Sequence, residues 1–252
     1  MKAKHRPHDK TTPAGHESGG AVKTREFNDQ PVAVVLLSGG VDSTTLLYDT
    51  IVNGYQVVAL SFEYGQKHSR EISAAIRTCY RLKIPHRIIP FPLLGELAPS
   101  AITKKSIPIP VPEGGITEGV IQQTTVPHRY LVMVSVATAY AAGIEADAVF
   151  IPAHISKTVT TPENKEQFID SLREAVKLSC WDPIMLYAPY IGWDKGDIVT
   201  RGGEIGVDFG LTWSCIVGGP EPCGVCAACI ERAAAFEKAG ITDPLAPVNG
   251  SA

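Results

Sequence analysis

The sequence predicts an α/β protein built on a doubly wound parallel sheet, in which apolar strands alternate with helices. The chain has 252 residues, of which 44% are hydrophobic, so it is long enough to bury a substantial core. Val32–Leu37 is a continuous apolar run, which is typical of a strand buried on both faces. Further short strands alternate with helical stretches along the chain, and this order favours right-handed βαβ units with parallel strands.

Hydrophobic periodicity and the glycine and proline boundaries predict the individual elements. The expected strands are Val32–Leu37, Val57–Phe62, His86–Ile89, Ala146–Ile151 and Met185–Ala188. The expected helices are Asp42–Asn53, Ser69–Leu82, Arg129–Gly143, Glu163–Leu178, Asp194–Glu204 and Ala227–Ala239. Because Arg129–Gly143 is rich in Ala and Val and almost without charge, we expect this helix to be buried.

The composition also predicts how the chain is organised. Residues 1–30 are polar and rich in His, Lys, Thr and Gly, so we expect a disordered leader there. The main α/β domain should cover residues 31–210, followed by a cysteine-rich segment with a C-terminal helix at 211–244 and a tail at 245–252. Residues 90–127 are dense in Pro and Gly, which predicts a long loop that acts as a lid or substrate loop. A tolerated surface insertion is the alternative.

Charge and hydropathy exclude several classes of protein. The formal net charge is -3 and the pI is about 6.2, so no basic excess supports strong nucleic-acid binding. No apolar run reaches the roughly 18 residues of a membrane-spanning helix. The amino-terminal residues contain no apolar signal core, so we expect a cytoplasmic protein.

A glycine turn connects the first predicted strand to the first helix. Its sequence is Ser38-Gly39-Gly40-Val41-Asp42-Ser43-Thr44-Thr45. Two glycines allow a tight turn and close approach of a ligand, and the backbone N–H groups of the helix start favour an anion. The turn has neither the lysine of a Walker A loop nor the spacing of G-x-G-x-x-G. A plain turn capped by Asp42 is the alternative.

We therefore expect phosphate binding by this turn. The candidate nucleotide-binding residues are Leu37, Ser38, Gly39, Gly40, Val41, Asp42, Ser43, Thr44 and Thr45.

Four cysteines lie close together near the carboxyl terminus, at Cys215, Cys223, Cys226 and Cys229. Four thiolates form the usual closed, tetrahedral zinc site of proteins. In a chain without an export signal, such a cluster indicates a metal more often than disulfides. We expect one structural Zn²⁺ per chain, which would hold the C-terminal segment against the sheet. An iron–sulfur cluster, or a redox-active C-x-x-C pair, is the alternative.

Together these motifs resemble the 7-cyano-7-deazaguanine synthase family of the PP-loop ATP pyrophosphatase superfamily. The glycine turn resembles the S-G-G-x-D-S PP-loop, and the cysteines follow it in the family's order. Further similar segments are Glu63–His68 (D-Y-G-Q-x-H), Val126–Arg129 (V-P-G-R), Gly192–Val199 (K-x-[DE]-I), Leu211–Cys215 and Ala234–Phe236. The resemblance covers Val32 to Pro244 and implies an adenine nucleotide alpha-hydrolase-like fold, with residues 31–210 as the ATP-binding domain.

The resemblance implies an ATP-dependent carbon–nitrogen ligase of queuosine-type deazapurine biosynthesis. Such an enzyme adenylates the carboxylate of 7-carboxy-7-deazaguanine, ammonia displaces AMP to form an amide, and the amide is activated again and dehydrated to the nitrile. The expected partners are ATP with Mg²⁺, ammonia and this acid or a related carboxylate. A second copy of the chain, in a homodimer, is a further candidate partner.

The resemblance also implies roles for individual residues. Asp42 belongs to the phosphate loop, and Lys195 would neutralise charge at the α-phosphate; a solvated helix lysine is the alternative. Arg129 would hold phosphate or the substrate carboxylate, with a structural salt bridge as the alternative. His68 is a candidate catalytic residue, although a satisfied loop histidine is more common. Leu60–Phe62 would flank the adenine.

The sequence departs from the family pattern in three places. Glu63 replaces an aspartate, and His128 and Tyr130 flank the arginine where the family has Gly and Asn. Ile151–Pro162 replaces a G-x-N turn and a loop with aspartate and tyrosine, in the region where the deazapurine would be recognised. The main alternative function is therefore a homologous PP-loop enzyme that adenylates another carboxylate or deazapurine, in nucleic-acid modification or defence. A non-catalytic nucleotide-binding module is the third hypothesis.

Overall fold

The structure is a computed structural model that describes residues 30–67 and 69–246. Almost all of the leader expected at residues 1–30 lies outside the described residues. The same holds for His68 and for residues 247–252 of the expected tail.

One sheet of five parallel strands forms the centre of the molecule, in the order β3-β2-β1-β4-β5. The strands are β1 (Val32–Leu36), β2 (Gln56–Glu63), β3 (His86–Pro90), β4 (Ala148–Phe150) and β5 (Met185–Tyr187). Because β1 pairs with β2 on one side and β4 on the other, the chain changes direction across the sheet at the β1–β4 pair. Ligands of open parallel sheets bind beyond the carboxyl ends of the strands at such a switch point.

Eight α-helices surround the sheet in the described part of the chain. They are α1 (Val41–Val52), α2 (Arg70–Leu82), α3 (Leu93–Leu97), α4 (Glu118–Thr124), α5 (Arg129–Gly143), α6 (Glu166–Leu178), α7 (Lys195–Glu204) and α8 (Ala227–Ala239). Short 3₁₀ turns occur at Pro162–Asn164 and Phe209–Leu211. None of the described helices is both long and apolar enough to span a bilayer.

The side chains of β1 show that the sheet is covered on both faces. Val34 and Leu36 pack into the core with α5 and α6, whereas Ala33 and Val35 pack into the core with α1 and α2. Successive residues of a strand point to opposite faces, so an uninterrupted apolar strand needs cover on both sides. The predicted doubly wound α/β class is therefore confirmed.

Some local details differ from the prediction. The 90–127 segment, expected to be a lid or substrate loop, contains the short helices α3 and α4, and its role as a lid stays a prediction. The Thr117 hydroxyl caps α4 by accepting the Val120 N–H at 3.4 Å. Helix α6 begins at Glu166 rather than Glu163, since the Pro162–Asn164 turn precedes it. Helix α5 is buried along one face only, because an alanine-rich surface does not itself require cover.

The segment after α7 is held by apolar packing of α8 against α1 and α7 and by a few polar contacts, rather than by sheet pairing. The backbone N–H of Trp213 donates to the Gly39 carbonyl oxygen at 2.9 Å. The Arg70 guanidinium lies 4.9 Å from the centre of the Trp213 ring. On α8, the buried Arg232 pairs with Asp243 at 2.7 Å. These contacts place the cysteine-rich segment directly beside the glycine turn.

Candidate active site and metal centre

The turn between β1 and α1 is a compact cradle at the carboxyl end of the central strand. Gly39 has a φ of 88°, and a Cβ at this position would overlap the Glu71 carbonyl oxygen, so only glycine fits. The Ser43 hydroxyl accepts the Ser38 N–H at 3.1 Å, and the Ser38 hydroxyl accepts the Gly40 N–H at 3.2 Å. The turn therefore holds two hydroxyl groups at the start of a helix, where the helix dipole favours an anion.

The nine candidate nucleotide-binding residues lie together, but they do not all present side chains to the cradle. Leu37 and Val41 are almost completely buried in two apolar clusters. Thr44 and Thr45 are also buried, and neither hydroxyl has a hydrogen-bond partner in the described structure. Ser38, Asp42 and Ser43 line the open cavity, so these three side chains are best placed to meet a ligand.

A partly buried ion pair links the cradle to α7. The Lys195 ammonium lies 3.4 Å from an Asp42 carboxylate oxygen and 3.7 Å from Glu231, with 19% of the Lys195 side chain exposed. Burial alone would raise the pKa of Asp42, but Lys195 and His154 hold that pKa below its usual value. Burial would lower the pKa of Lys195, but Asp42 and Glu231 raise it. Lys195 is thus a charged, enclosed lysine rather than a solvated one.

Arg129, at the start of α5, faces the same cavity of about 250 Å³. Its guanidinium lies 5.9 Å from the centre of the Tyr130 ring. Burial raises the pKa of Tyr64, and the nearby Arg129 partly opposes that rise. Glu163 accepts the Tyr130 N–H at 3.0 Å, which joins the Pro162–Asn164 turn to the start of α5. The cavity therefore contains one fixed cation beside the glycine turn.

Glu71 lines this cavity too and was not anticipated from the sequence. Burial raises the pKa of Glu71 to about 7, although Arg129 and Lys195 favour its charged form. An acidic residue in the first turn of a helix is common on electrostatic grounds, so the sequence contained no special signal for it. A carboxyl group with a pKa close to neutral can both accept and release a proton.

The expected roles of His68 and of Leu60–Phe62 stay predictions. His68 lies outside the described residues. Leu60 and Phe62, expected to flank adenine, lie on β2 and pack into the apolar core on the α5 side of the sheet. Ser61, between them, donates its hydroxyl proton to the Leu37 carbonyl oxygen, which ties β2 to the end of β1.

The four cysteines form a compact centre. Their sulfur atoms all lie within 4.8 Å of one another, and those of Cys223 and Cys229 are 3.9 Å apart. A tetrahedral zinc ion with Zn–S bonds of about 2.3 Å separates its sulfurs by about 3.8 Å. The Cys223 and Cys226 N–H groups donate to the sulfurs of Cys215 and Cys223, as expected around thiolates. The donor set fits one mononuclear metal ion better than a sulfide-bridged iron cluster, which holds its thiolates farther apart.

Comparison with known proteins agrees with these features. The family model described as queuosine biosynthesis protein QueC matches residues 32–240. A 7-cyano-7-deazaguanine synthase from Caldicellulosiruptor saccharolyticus is 45% identical over 213 residues, covering 84% of this chain and 94% of that protein. The enzyme of the same name from Methanoregula boonei is also 45% identical over 213 residues, covering 84% of this chain and 97% of that protein. The chain therefore belongs to the QueC family of queuosine biosynthesis proteins.

Proposed function

We propose that this chain is an ATP-dependent ligase that converts 7-carboxy-7-deazaguanine and ammonia into 7-cyano-7-deazaguanine. Membership of the QueC family supports this reaction, since a relative named 7-cyano-7-deazaguanine synthase matches 84% of the chain at 45% identity. The observation that carries the chemistry is the Lys195–Asp42 ion pair, 3.4 Å long, beside the glycine turn. A cradle for phosphates that also holds an enclosed lysine suits transfer of the adenylyl group.

The first step forms an adenylated carboxylate. A carboxylate oxygen of the acid attacks the α-phosphorus of ATP, and the bond to the bridging oxygen of pyrophosphate breaks. The N–H groups of the turn and the hydroxyls of Ser38 and Ser43 would hold the departing pyrophosphate. Lys195 and Arg129 would stabilise the negative charge that builds up on the phosphates. The mixed anhydride then has AMP as a good leaving group.

The later steps exchange oxygen for nitrogen. Ammonia attacks the acyl carbon, loses a proton and expels AMP, which leaves the amide. A second ATP adenylates the amide oxygen, and loss of AMP and a proton then gives the nitrile. Glu71 is suited to accept the proton of the attacking amine, because its raised pKa of about 7 lies near neutral pH.

Magnesium and zinc would have separate roles. Mg²⁺ bound with ATP would supply positive charge to the phosphates, and the buried Asp42 Oδ1, without a hydrogen-bond partner in the described structure, is available to it. One Zn²⁺ held by the four cysteines would be structural, since four thiolates complete its coordination. We expect this enzyme in the cytoplasm, where thiols stay reduced.

A single incubation tests the reaction. The full chain is mixed with ATP, Mg²⁺, ammonium and 7-carboxy-7-deazaguanine, and mass spectrometry follows the amide, the nitrile and AMP. We expect all three to form, and Asp42→Ala to abolish them. The exposed Asp170 on α6 does not line this cavity, so Asp170→Ala is the matched control and should keep activity.

The products also separate the alternatives. Release of ADP and phosphate without AMP would contradict attack at the α-phosphorus. A second candidate, adenylation of a different carboxylate, is favoured by the lack of acidic side chains in residues 151–162. It would be supported if AMP formed with another acid and never with the deazaguanine acid.

A further inference from the structure

A second cavity, of about 160 Å³, lies on the other side of Lys195. Residues 154–158 line one wall, and these belong to the stretch in which the sequence departs from its family pattern. Helix α8 lines the opposite wall with Ile230 and Glu231, and Ile116 from the 90–127 segment also contributes. His154 lines this cavity and the phosphate cavity alike, so the two spaces adjoin.

Glu231 connects the walls of this second cavity. One oxygen of its carboxylate accepts the Ser156 hydroxyl at 3.2 Å, and the other lies 3.7 Å from the Lys195 ammonium. Lys195 in turn contacts Asp42 of the glycine turn at 3.4 Å. A ligand in the second cavity would therefore have Glu231 at one edge and could extend a carboxylate past Lys195 toward the α-phosphate.

The chemistry of the cavity suits a planar nitrogen heterocycle. Ile116, Ile155 and Ile230 provide apolar surface for the ring faces. A guanine-like edge presents two adjacent N–H donors, from the ring nitrogen and the exocyclic amine. A carboxylate accepts two parallel hydrogen bonds from such a pair.

Residues 151–162 contain no acidic side chain. Asp194 also lines the cavity, but its carboxylate is paired with Lys238 at 2.8 Å and Lys157 at 3.2 Å. Glu231 from α8 therefore supplies the acceptor that this stretch lacks.

Helix α8 is held firmly on both sides of Glu231. Cys229 belongs to the four-cysteine centre. Arg232 has 4% of its side chain exposed and bonds to Asp243 at 2.7 Å and to the Thr212 hydroxyl at 2.9 Å. A recognition group gains specificity when neighbouring contacts hold it in the binding geometry.

We propose that the deazapurine ring of the acceptor lies in this second cavity and that the Glu231 carboxylate recognises its guanine-like edge. This inference rests on the proposed function. It assigns a specificity-determining role to a residue on the cysteine-held helix, far along the chain from the glycine turn.

The test compares Glu231→Gln with the wild-type chain on two substrates. One is 7-carboxy-7-deazaguanine, and the other is its analogue without the exocyclic amine. For the variant, we expect the KM for the deazaguanine acid to rise about tenfold or more, because an amide cannot accept both hydrogen bonds. The wild-type preference for the amine-bearing acid should shrink by a similar factor. The Kd of ATP, measured separately, should stay within about twofold.

Glu237→Gln is the matched control, because Glu237 is exposed on the same helix and loses the same charge. It should keep the wild-type KM and preference. Thermal unfolding and metal content establish that each variant is folded. If Glu231→Gln does not fold, Glu231→Asp replaces it, and we expect a raised KM for the acid with the preference retained.

The outcomes separate this inference from the proposed function. If the wild-type chain turns over the acid but Glu231→Gln keeps the same KM and preference, only the inference is wrong. A fall in kcat with unchanged preference would also overturn it, since Glu231 would then serve to position Lys195. If the wild-type chain binds ATP but converts no deazaguanine acid, the proposed function fails and the inference fails with it.

Discussion

The glycine turn and the cysteine-rich segment lie side by side, but they are held in place in different ways. The turn follows β1, whose residues are buried on both faces of the sheet, and its shape comes from the extensive packing of strands and helices. Residues 211–244 contain one long helix, α8, which packs against α1 and α7 through a small apolar cluster. The rest of this segment is positioned by four cysteines, the Arg232–Asp243 pair and Trp213. Large losses of stability on single substitution come from a few features such as a metal ligand or a buried ion pair, and the second region contains both.

The cysteine centre should give the largest effect. For Cys226→Ser, we expect zinc to fall from about one ion per chain to nearly none, because a hydroxyl replaces a thiolate ligand. The free energy of unfolding should fall by several kcal/mol, since metal binding contributes directly to folding. Elemental analysis and chemical denaturation measure both quantities.

Cys180→Ser provides the control, because Cys180 is exposed and lies away from the centre. It should retain zinc and stability. Iron in the purified wild-type protein, or full stability of Cys226→Ser without metal, would contradict the assignment.

The second-largest loss of stability should come from breaking the buried Arg232–Asp243 ion pair, which holds α8. Asp243→Asn leaves the Arg232 guanidinium, 4% exposed, without its counter-ion, which costs about 3–5 kcal/mol in comparable buried pairs. Urea denaturation measures the loss. The exposed pair of Asp170 and Arg173 gives the comparison, and Asp170→Asn should change stability by about 1 kcal/mol or less. Equal losses in the two variants would show that the C-terminal segment does not depend on this contact.

Lys195 sharpens the comparison, because it starts α7 and contacts both regions. We expect Lys195→Met to lower kcat about 100- to 1000-fold, as happens when one preorganised donor to a transition-state oxyanion is removed. Steady-state assays of AMP formation measure the change, and circular dichroism checks that the protein is folded. Lys177→Met, on the exposed surface of α6, should leave kcat unchanged. A loss of less than about fivefold for Lys195→Met would argue against its role at the phosphate.

The smallest effect should come from Glu71, as a change in how the free energy of unfolding depends on pH. Its pKa is raised from 4.5 to about 7 by burial, against the opposing influence of Arg129 and Lys195, while Cys215 adds to the rise. Between about pH 4.5 and 7 the folded protein keeps this proton and the unfolded chain loses it, so this contribution to stability is lost as pH rises.

Glu71→Gln removes that dependence. The free energy of unfolding of the variant minus that of the wild type should increase between pH 5 and 8, by on the order of 1 kcal/mol after allowance for solvent screening. Chemical denaturation at several pH values measures this difference, with Glu237→Gln as the control. A constant difference across the range would mean that Glu71 has an ordinary pKa.

Much of this protein could be predicted from local stretches of sequence. The alternation of apolar strands with helices determines the parallel sheet, because a strand that is apolar on every residue needs helices on both faces. The glycine turn and the cysteine cluster are each formed by residues close together in the chain, so their spacing was enough to indicate a phosphate cradle and a metal centre. The family resemblance follows from those same short motifs.

Other features depend on which distant residues meet, and only the tertiary structure decided those. Glu231 is an ordinary helix glutamate in the sequence, yet folding brings it to Ser156 and Lys195. Glu71 acquires its raised pKa from the burial and charges around it. The exposed face of α5 was also not predictable from the sequence, because an Ala- and Val-rich helix has no strongly polar face to show which side the core covers. Burial and electrostatic neighbours are properties of long-range packing, and sequence spacing alone does not contain them.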